Sequence, residues 1–474
     1  MHLKEVLKGN GFASWPKAIS GSKPGDKSKI LMEVGWHGLF GITVDVNPFK
    51  PGSHSLSMTV PLFKPLSEQA FRDLQKADRL IYKKFIYDIV KATNPYLQSV
   101  DVITTPIYDF ELEIMKATTE DSRTTKINYV EMKLKDLDRN IPGLKWNDII
   151  RHPFNFLKMR LADSQSVFVW RLTYYNLLAA YIKNTVNPEV LFNYLGWKFI
   201  VELLPFTRKT LYGLHSNFMR SVDPTFNQLP ADETCVTDLM KNMGFILGRL
   251  YIRNYFKYEA LSDVDELITY LKEAAAGIFT GKDWLDESTK AAAFQKVQQM
   301  LQLVGYPNWL ISDAELERLY KHVPDISESM SYVSAMNITI RNNFLVNLEQ
   351  IQKPADRKTI FPQSPAVING EYLPHTNALV LYAGLLQTPF YEHQIPFSVK
   401  MGVIGWIAAH EITHGFDTLG SQYDWQGELK SWWTKQVEEK FKTKAHCFIN
   451  QYSAITDPET KVQACGTYLL TRHI

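Results

Sequence analysis

Residues 401–417 read MGVIGWIAAHEITHGFD, and this stretch carries two histidines four positions apart with a glutamate directly after the first. We predict that it lies on a helix over residues 399–415. With about 3.6 residues per helical turn, His410 and His414 project from one face, one turn apart, so both imidazoles can reach a single metal ion. Glu411 lies about 100° around the helix, where it can reach a water on that ion without binding the ion itself.

An ordinary helix that carries two histidines by chance is the alternative interpretation. Residues 401–409 contain no charged side chain, so we expect this helix to be buried. Burying two histidines and a glutamate without a partner costs several kcal/mol, and a bound cation removes that cost. The spacing and the expected burial therefore favour a metal site of the kind that zinc peptidases carry.

The composition is that of a large globular protein. The chain has 474 residues, of which 45% are hydrophobic and 22% charged. Two domains are favoured, since a single core stops growing at about 250–300 residues. Lys and Arg number 52 against 50 Asp and Glu, so no overall basic field favours nucleic acid. No apolar run approaches the ~18 residues of a membrane span. We therefore expect neither nucleic-acid binding nor a membrane segment in this chain.

The pattern of apolar residues divides the chain into three regions with different predicted secondary structure. Alternating apolar residues over 42–46 and 56–60 predict a short antiparallel strand pair near the N-terminus. Helical spacing prevails from about residue 67 to 330, and it includes a helix that we expect to run through Val304 and to end at Gly305. Six prolines then interrupt residues 350–396, so we place a domain boundary near residue 335.

The motif HEITHGFD resembles the signature of the neprilysin and endothelin-converting-enzyme family of zinc metallopeptidases. The likeness continues in six further places, which are Trp15-Pro16, residues 248–251, residues 284–307, the region of Asn369, residues 383–387 and Trp432-Trp433. The resemblance implies a mostly α fold with small β content, in which a large helical lobe faces a partial thermolysin-like catalytic lobe. It makes residues 1–334 the N-terminal lobe and residues 335–474 the incomplete zinc-binding lobe, with a chamber between them that admits short peptides.

Each matching residue takes a role from the resemblance. His410 and His414 are expected to bind one Zn²⁺, and Glu411 is expected to be the general base. Asp417, at the end of the same motif, is expected to support a zinc ligand. Asn369 corresponds to an asparagine on an edge strand that hydrogen-bonds the backbone of a peptide substrate, which would bind as an added strand.

The resemblance also assigns a pocket for the residue that follows the scissile bond. The residues expected to line it are Leu385, Phe390, Trp406 and Ile407. Because the lining is apolar, we expect a hydrophobic side chain there. Trp406 stands where a slimmer residue is usual and should shrink the pocket, although each of the four residues could instead belong to the core. The edge strand departs from the family pattern, since Gly370 replaces an alanine and Glu371 an aromatic residue.

The third zinc ligand of the family, a glutamate in a Glu-Asn-x-x-Asp motif, is absent from this sequence. Glu438, Glu439 and His473 are weak substitutes, because the glutamates lie opposite an apolar stripe and the histidine is one residue from the end. The downstream histidine and arginine that stabilise the transition state and bind substrate are also missing. Two functions therefore stay open: a zinc-dependent endopeptidase of oligopeptides, and a peptide-binding homologue that has lost turnover.

The cysteines are informative about the cellular location of the protein. The resemblance places Cys235 and Cys447 at half-cystine positions whose partners lie in parts of the family that this sequence lacks. It therefore implies an extracellular protein or a plasma-membrane ectodomain, with disulfide bonds and, upstream, a membrane anchor. On this interpretation the sequence is a fragment or an incomplete gene model, truncated at both ends.

Overall fold

The computed structural model describes residues 2–19, 25–61, 65–66, 76–119, 129–207, 209–223, 225–458 and 463–464. Helices dominate these ranges and two small sheets accompany them, which confirms the predicted mostly α fold with small β content. No helix in the described ranges is long and apolar enough to cross a membrane.

The predicted N-terminal strand pair is confirmed. The strands of this sheet are β1 Gly41–Val46, β2 His54–Thr59, β3 Tyr129–Lys133 and β4 Ser166–Trp170. They lie in the order β1-β2-β4-β3, with β1 antiparallel to β2 and Ile42 opposite Met58. Both of these side chains are buried, as the alternation of apolar residues requires.

Helices of the N-terminal part share a core with that sheet. They are α1 His2–Gly9, α2 Lys27–Val34, α3 Lys76–Thr93, α4 Asp101–Thr119, α5 Leu137–Asn140, α6 Trp146–Phe156, α7 Leu172–Asn184, α8 Pro188–Leu203, α9 Lys209–Val222 and α10 Ala231–Asn242. The most deeply buried of them is α8, which the Asn187 side chain caps through the backbone N–H of Glu189 at 2.8 Å. Its apolar residues lie in the largest core of the molecule, together with residues from α3, α4 and α7.

Several of the remaining elements build a second core around the histidine-bearing helix. They are α11 Gly244–Asn254, α12 Glu259–Thr280, α13 Glu287–Gln298, β5 Leu301–Gly305, α14 Asp313–Leu319, α15 Tyr332–Leu348, β6 Gly370–Leu373, β7 Ala378–Tyr382, α16 Phe397–Lys400, α17 Trp406–His414 and α18 Lys435–Ser453. The sheet order is β5-β7-β6, so the fully buried β7 lies in the middle and β6 at an edge. This core joins α12, the sheet and α17.

The expected helix through Val304 is wrong. Helix α13 ends at Gln298, and residues 301–305 instead form β5, which pairs in parallel with β7. Leu301 lies opposite Ala378, a residue far away in sequence. The apolar spacing of the segment suits a helix, but pairing with a buried strand satisfies its backbone groups as well and overrides the local preference.

The boundary near residue 335 stays a prediction. In the structure this residue lies inside α15, whose Val333, Met336 and Leu348 belong to the N-terminal core. Helix α12 and strand β5 precede that boundary. Nevertheless Val264 of α12 and Val304 of β5 pack in the core that contains α17. The two cores are therefore interleaved along the chain.

One buried ion pair crosses the N-terminal core. The Lys198 ammonium on α8 lies 2.6 Å from a carboxylate oxygen of Glu111 on α4, and both side chains are at most 3% exposed. The other oxygen of Glu111 accepts a hydrogen bond from the Tyr82 hydroxyl of α3 at 2.7 Å. The carboxylate therefore links three helices.

We expect Lys198→Met to lower the free energy of unfolding by about 3–5 kcal/mol, because it leaves the Glu111 carboxylate buried without its counter-ion. Lys84→Met is the matched control. Lys84 pairs with Asp88 at 2.5 Å, but its side chain is 72% exposed, and losing it should cost less than about 1 kcal/mol. Urea denaturation measures both. Equal losses in the two variants would contradict the role of the buried pair.

Candidate metal centre

The two histidines lie on one long helical segment, as predicted. It begins with α16, passes through a π-helical turn over Met401–Gly405, and continues as α17 to His414. A π turn inside an α-helix is rare and occurs mostly at functional sites. Hydrophobic spacing carries no signal for it, so sequence reasoning missed this turn.

The imidazoles of His410 and His414 converge. Their Nε2 atoms lie 3.0 Å apart, and their rings are 4.5 Å apart at 82° to each other. Two nitrogens bound tetrahedrally to zinc at about 2.0–2.1 Å lie roughly 3.3 Å apart, so this pair fits a zinc ion. With a carboxylate oxygen of Glu411, the three side chains offer ligand atoms within 4.8 Å of one another.

Glu411 is buried beside the edge strand β6. The residue is 7% exposed, and this burial raises the pKa of its carboxyl group, while the charge of His414 and a hydrogen bond from the backbone of Tyr372 lower that pKa by less. The space for it exists because residue 370 is glycine. A β-carbon on Gly370 would lie 3.5 Å from Cγ of Glu411 and only 2.9 Å from Cδ2 of Leu381. A carboxylate with a raised pKa in this position suits a proton acceptor.

Asp417 orients His414 from behind. Its Oδ2 lies 2.7 Å from Nδ1 of His414, while its Oδ1 accepts hydrogen bonds from the backbone N–H groups of Leu419 at 2.8 Å and Gly420 at 2.6 Å. The bond to Asp417 raises the pKa of His414. Because Nδ1 is occupied, Nε2 is the nitrogen that faces His410.

Asn369 lies exposed, directly before β6. Its carbonyl accepts a hydrogen bond from the backbone N–H of Tyr382 at 3.2 Å. Bonded and non-bonded pairs alternate in an antiparallel ladder, so the N–H and C=O of Gly370 point to the open edge of the sheet. Glu371 lies on the face away from Glu411, where its carboxylate accepts hydrogen bonds from the Tyr382 hydroxyl and from the amide of Gln363.

The four residues predicted to line a pocket have different environments. Leu385 is buried, and Phe390 and Ile407 pack half-buried against the same core. Trp406 is 67% exposed, so the expectation that the whole apolar stretch is buried is wrong. One face of the helical segment, which includes Trp406 and His410, is open, and the indole stacks on the imidazole with 5.9 Å between ring centres.

A third protein ligand is not found among the described residues. Within the part of the chain that the structure covers, His410, Glu411 and His414 are the one group of three or more His, Cys, Asp or Glu side chains close enough for a single ion. Glu438 lies instead 2.7 Å from Lys442 on α18, and Glu439 is exposed on the same helix. His473 lies outside the described residues.

The cysteines form no disulfide within the described ranges. Cys235 and Cys447 are both free and exposed there. Cys465 lies outside those ranges. The half-cystine role that the resemblance implies stays a prediction.

Two family models match the chain. The N-terminal model of peptidase family M13 matches residues 3–307, and the second model of peptidase family M13 matches residues 369–474. The chain belongs to peptidase family M13. This is the family of zinc metallopeptidases that includes neprilysin and the endothelin-converting enzymes, so the predicted family is confirmed.

Curated relatives carry those names. Neprilysin-1 of Trittame loki is 24% identical over 100% of this chain and 67% of its own length. Human endothelin-converting enzyme 1 is 29% identical over 73% of this chain and 45% of its own length. Neprilysin-1 of Caenorhabditis elegans is 30% identical over 71% of this chain and 44% of its own length. The chain thus spans about half the length of most of these relatives.

Solved structures share the fold. The zinc metalloprotease ZMP1 of Mycobacterium tuberculosis, in complex with an inhibitor, superposes with a TM-score of 0.78 at 22% identity, covering 95% of this chain and 68% of that one. PepO from Lactobacillus rhamnosis superposes with a TM-score of 0.79 at 17% identity, covering 94% of this chain and 69% of that one. The mostly helical neprilysin-like fold expected from the sequence is thereby confirmed.

We expect Asp417→Ala to weaken zinc binding about 10–100-fold, because the His414 imidazole loses the partner that orients it. Competition with a fluorescent zinc chelator measures this change. Asp356→Ala is the matched control, since Asp356 also accepts a backbone N–H two residues ahead, from Lys358 at 3.0 Å, but bonds no histidine. Unchanged zinc affinity in the Asp417 variant would contradict the assigned role.

Proposed function

We propose that this chain is a zinc-dependent endopeptidase that hydrolyses oligopeptides. The observation that carries the proposal is the convergence of the two Nε2 atoms at 3.0 Å, beside a buried glutamate and in front of an aspartate bonded to His414. In this proposal His410 and His414 hold one zinc ion. When bound, zinc would lower the pKa of water toward about 7 and polarise the scissile carbonyl.

The remaining steps belong to the residues of the chain. Glu411 accepts a proton from the attacking water and then passes it to the leaving amine, a role that its burial and raised pKa support. Asp417 keeps the His414 imidazole in one orientation throughout. Asn369 and the open-edge backbone groups of Gly370 bind the peptide backbone as an added strand next to β6, which brings it alongside Glu411.

The proposed preference rests on apolar side chains of the pocket residues. Trp406 exposes its indole beside His410, and Phe390 and Ile407 lie half-buried with the buried Leu385 in the core that contains α17. These apolar side chains support a preference for a hydrophobic residue after the scissile bond. The open position of Trp406 leaves its indole available to a substrate side chain. We further propose an extracellular or plasma-membrane setting, which the relationship to neprilysins and endothelin-converting enzymes supports.

A peptide-binding homologue without turnover is the second candidate. One observation favours it. In the described part of the chain, the candidate metal site consists of His410, His414 and the proposed proton acceptor Glu411, without a third protein ligand. A catalytic zinc usually has three protein ligands and an open position. Two imidazoles alone would hold the ion weakly, and the chain would then retain the peptide-binding edge strand without hydrolysis.

Glu411→Gln should lower the rate of peptide hydrolysis by a factor of about 100 or more while zinc affinity stays within about twofold, because the amide cannot accept the proton. Glu392→Gln, at an exposed position, is the control and should leave both quantities unchanged. Turnover of a quenched fluorescent peptide and chelator competition measure them. Wild-type turnover in the Glu411 variant would remove the mechanism.

Metal content distinguishes the two candidate functions. We expect the purified chain to carry about one tightly bound zinc and His414→Ala to lose it, because each imidazole supplies one of few ligands. Elemental analysis after dialysis against a weak chelator measures the ratio. A chain that retains no zinc but still binds peptide would favour the non-catalytic homologue.

A further inference from the structure

A buried lysine lies behind the proposed metal site. Lys296, near the end of α13, is 1% exposed, and its Nζ donates hydrogen bonds to the carbonyls of Gly420 at 2.7 Å and Tyr423 at 2.5 Å. Both carbonyls belong to the turn that follows α17. An ammonium in such a place costs free energy unless its surroundings compensate the charge.

The surroundings of Lys296 compensate part of the cost of burying a cation. Its Nζ lies 5.6–5.8 Å from the ring centres of Tyr372, Phe416 and Trp432, within the range of cation–π attraction. Burial lowers the pKa of Lys296 to about 7, and the negative charges of Asp417 and Asp424 raise it by less. The amine therefore contacts two carbonyls and lies near three aromatic rings.

Gly420 connects this amine to the histidine. Its C=O accepts the hydrogen bond from Lys296, and its N–H donates to Oδ1 of Asp417 at 2.6 Å. Gly420 also lies against the end of α17, where a β-carbon would come within 1.9 Å of the His414 carbonyl oxygen. Asp417 in turn contacts Nδ1 of His414 at 2.7 Å. An unbroken series of contacts thus runs from Lys296 to the proposed zinc ligand.

We propose that Lys296 is a positioning residue for His414 and acts through Gly420 and Asp417. The proposal rests on the proposed function, in which His414 binds zinc. Without the ammonium the carbonyls of Gly420 and Tyr423 lose their donor, and the turn that presents backbone N–H groups to Asp417 relaxes. Asp417 then holds the imidazole less firmly, and the two histidines converge less well on one ion.

Lys272 provides a matched control for this effect. Its Nζ on α12 also donates to two backbone carbonyls, those of Met300 at 2.7 Å and Gln298 at 3.3 Å. Burial lowers its pKa as well. Neither of those carbonyls belongs to the turn that carries Asp417. Replacing Lys272, which is less buried than Lys296, therefore removes an amine with the same number of carbonyl partners without touching the series of contacts that ends at His414.

The experiment compares zinc affinity in the full chain by chelator competition. Lys296→Met should weaken zinc binding about tenfold or more, whereas Lys272→Met should stay within about twofold of wild type. Lys296→Gln, which keeps an N–H donor, should fall between Lys296→Met and wild type. In the background of Asp417→Ala, Lys296→Met should weaken zinc binding by less than a further factor of about two, because Asp417, through which Lys296 acts, is already absent.

Four results would overturn the proposal. These are wild-type affinity in Lys296→Met, an equal loss in Lys272→Met, no recovery in Lys296→Gln, and fully additive losses in the double variant. Circular dichroism reports whether each variant folds. If Lys296→Met does not fold, Lys296→Gln decides, and wild-type affinity in that variant overturns the proposal.

Failure of the proposed function has a separate signature. If His414→Ala binds zinc as tightly as wild type, then His414 is not a ligand. Both the proposed zinc mechanism and the proposed role of Lys296 are then wrong. If His414→Ala loses zinc while Lys296→Met keeps it, the mechanism stands and the positioning role alone is wrong.

Discussion

The contact between Asp417 and His414 is the interaction on which the geometry of the site depends. A neutral imidazole can offer a metal either of its nitrogens, and the hydrogen bond at one nitrogen determines which of them is offered. Asp417 occupies Nδ1 at 2.7 Å, so Nε2 faces His410 across 3.0 Å. The aspartate is itself held by backbone N–H groups of Leu419 and Gly420. The orientation of one ring therefore depends on the shape of the turn that ends the helix.

Charges of both signs are buried around that helix end, and each has its own compensation. Glu411 receives a backbone hydrogen bond from Tyr372 and lies near His414, while Lys296 donates to two carbonyls among three aromatic rings. Burying such groups without partners would cost more than the fold could recover. The arrangement thus combines stability with a carboxylate whose pKa is raised, which is the property that proton transfer requires.

The local features of the site were predictable because they depend on a few neighbouring residues. The spacing of His410 and His414 places them on one helix face, and Asp417 follows three residues after the second histidine, within reach of its ring. The family resemblance added the expected roles, including that of Asn369. The strand pair near the N-terminus was equally local, since alternating apolar residues on both sides of a turn specify it.

By itself the sequence determined the helix that carries the two histidines, the strand pair and the family, because helical periodicity, strand alternation and short motifs are properties of adjacent residues. Tertiary structure alone decided that residues 301–305 form a strand, since their partner β7 lies far along the chain. It also decided that Trp406 is exposed, and that Lys296 reaches the turn after α17. Burial and long-range contacts depend on which elements pack together, and apolar spacing in one segment carries no information about the identity of its neighbour.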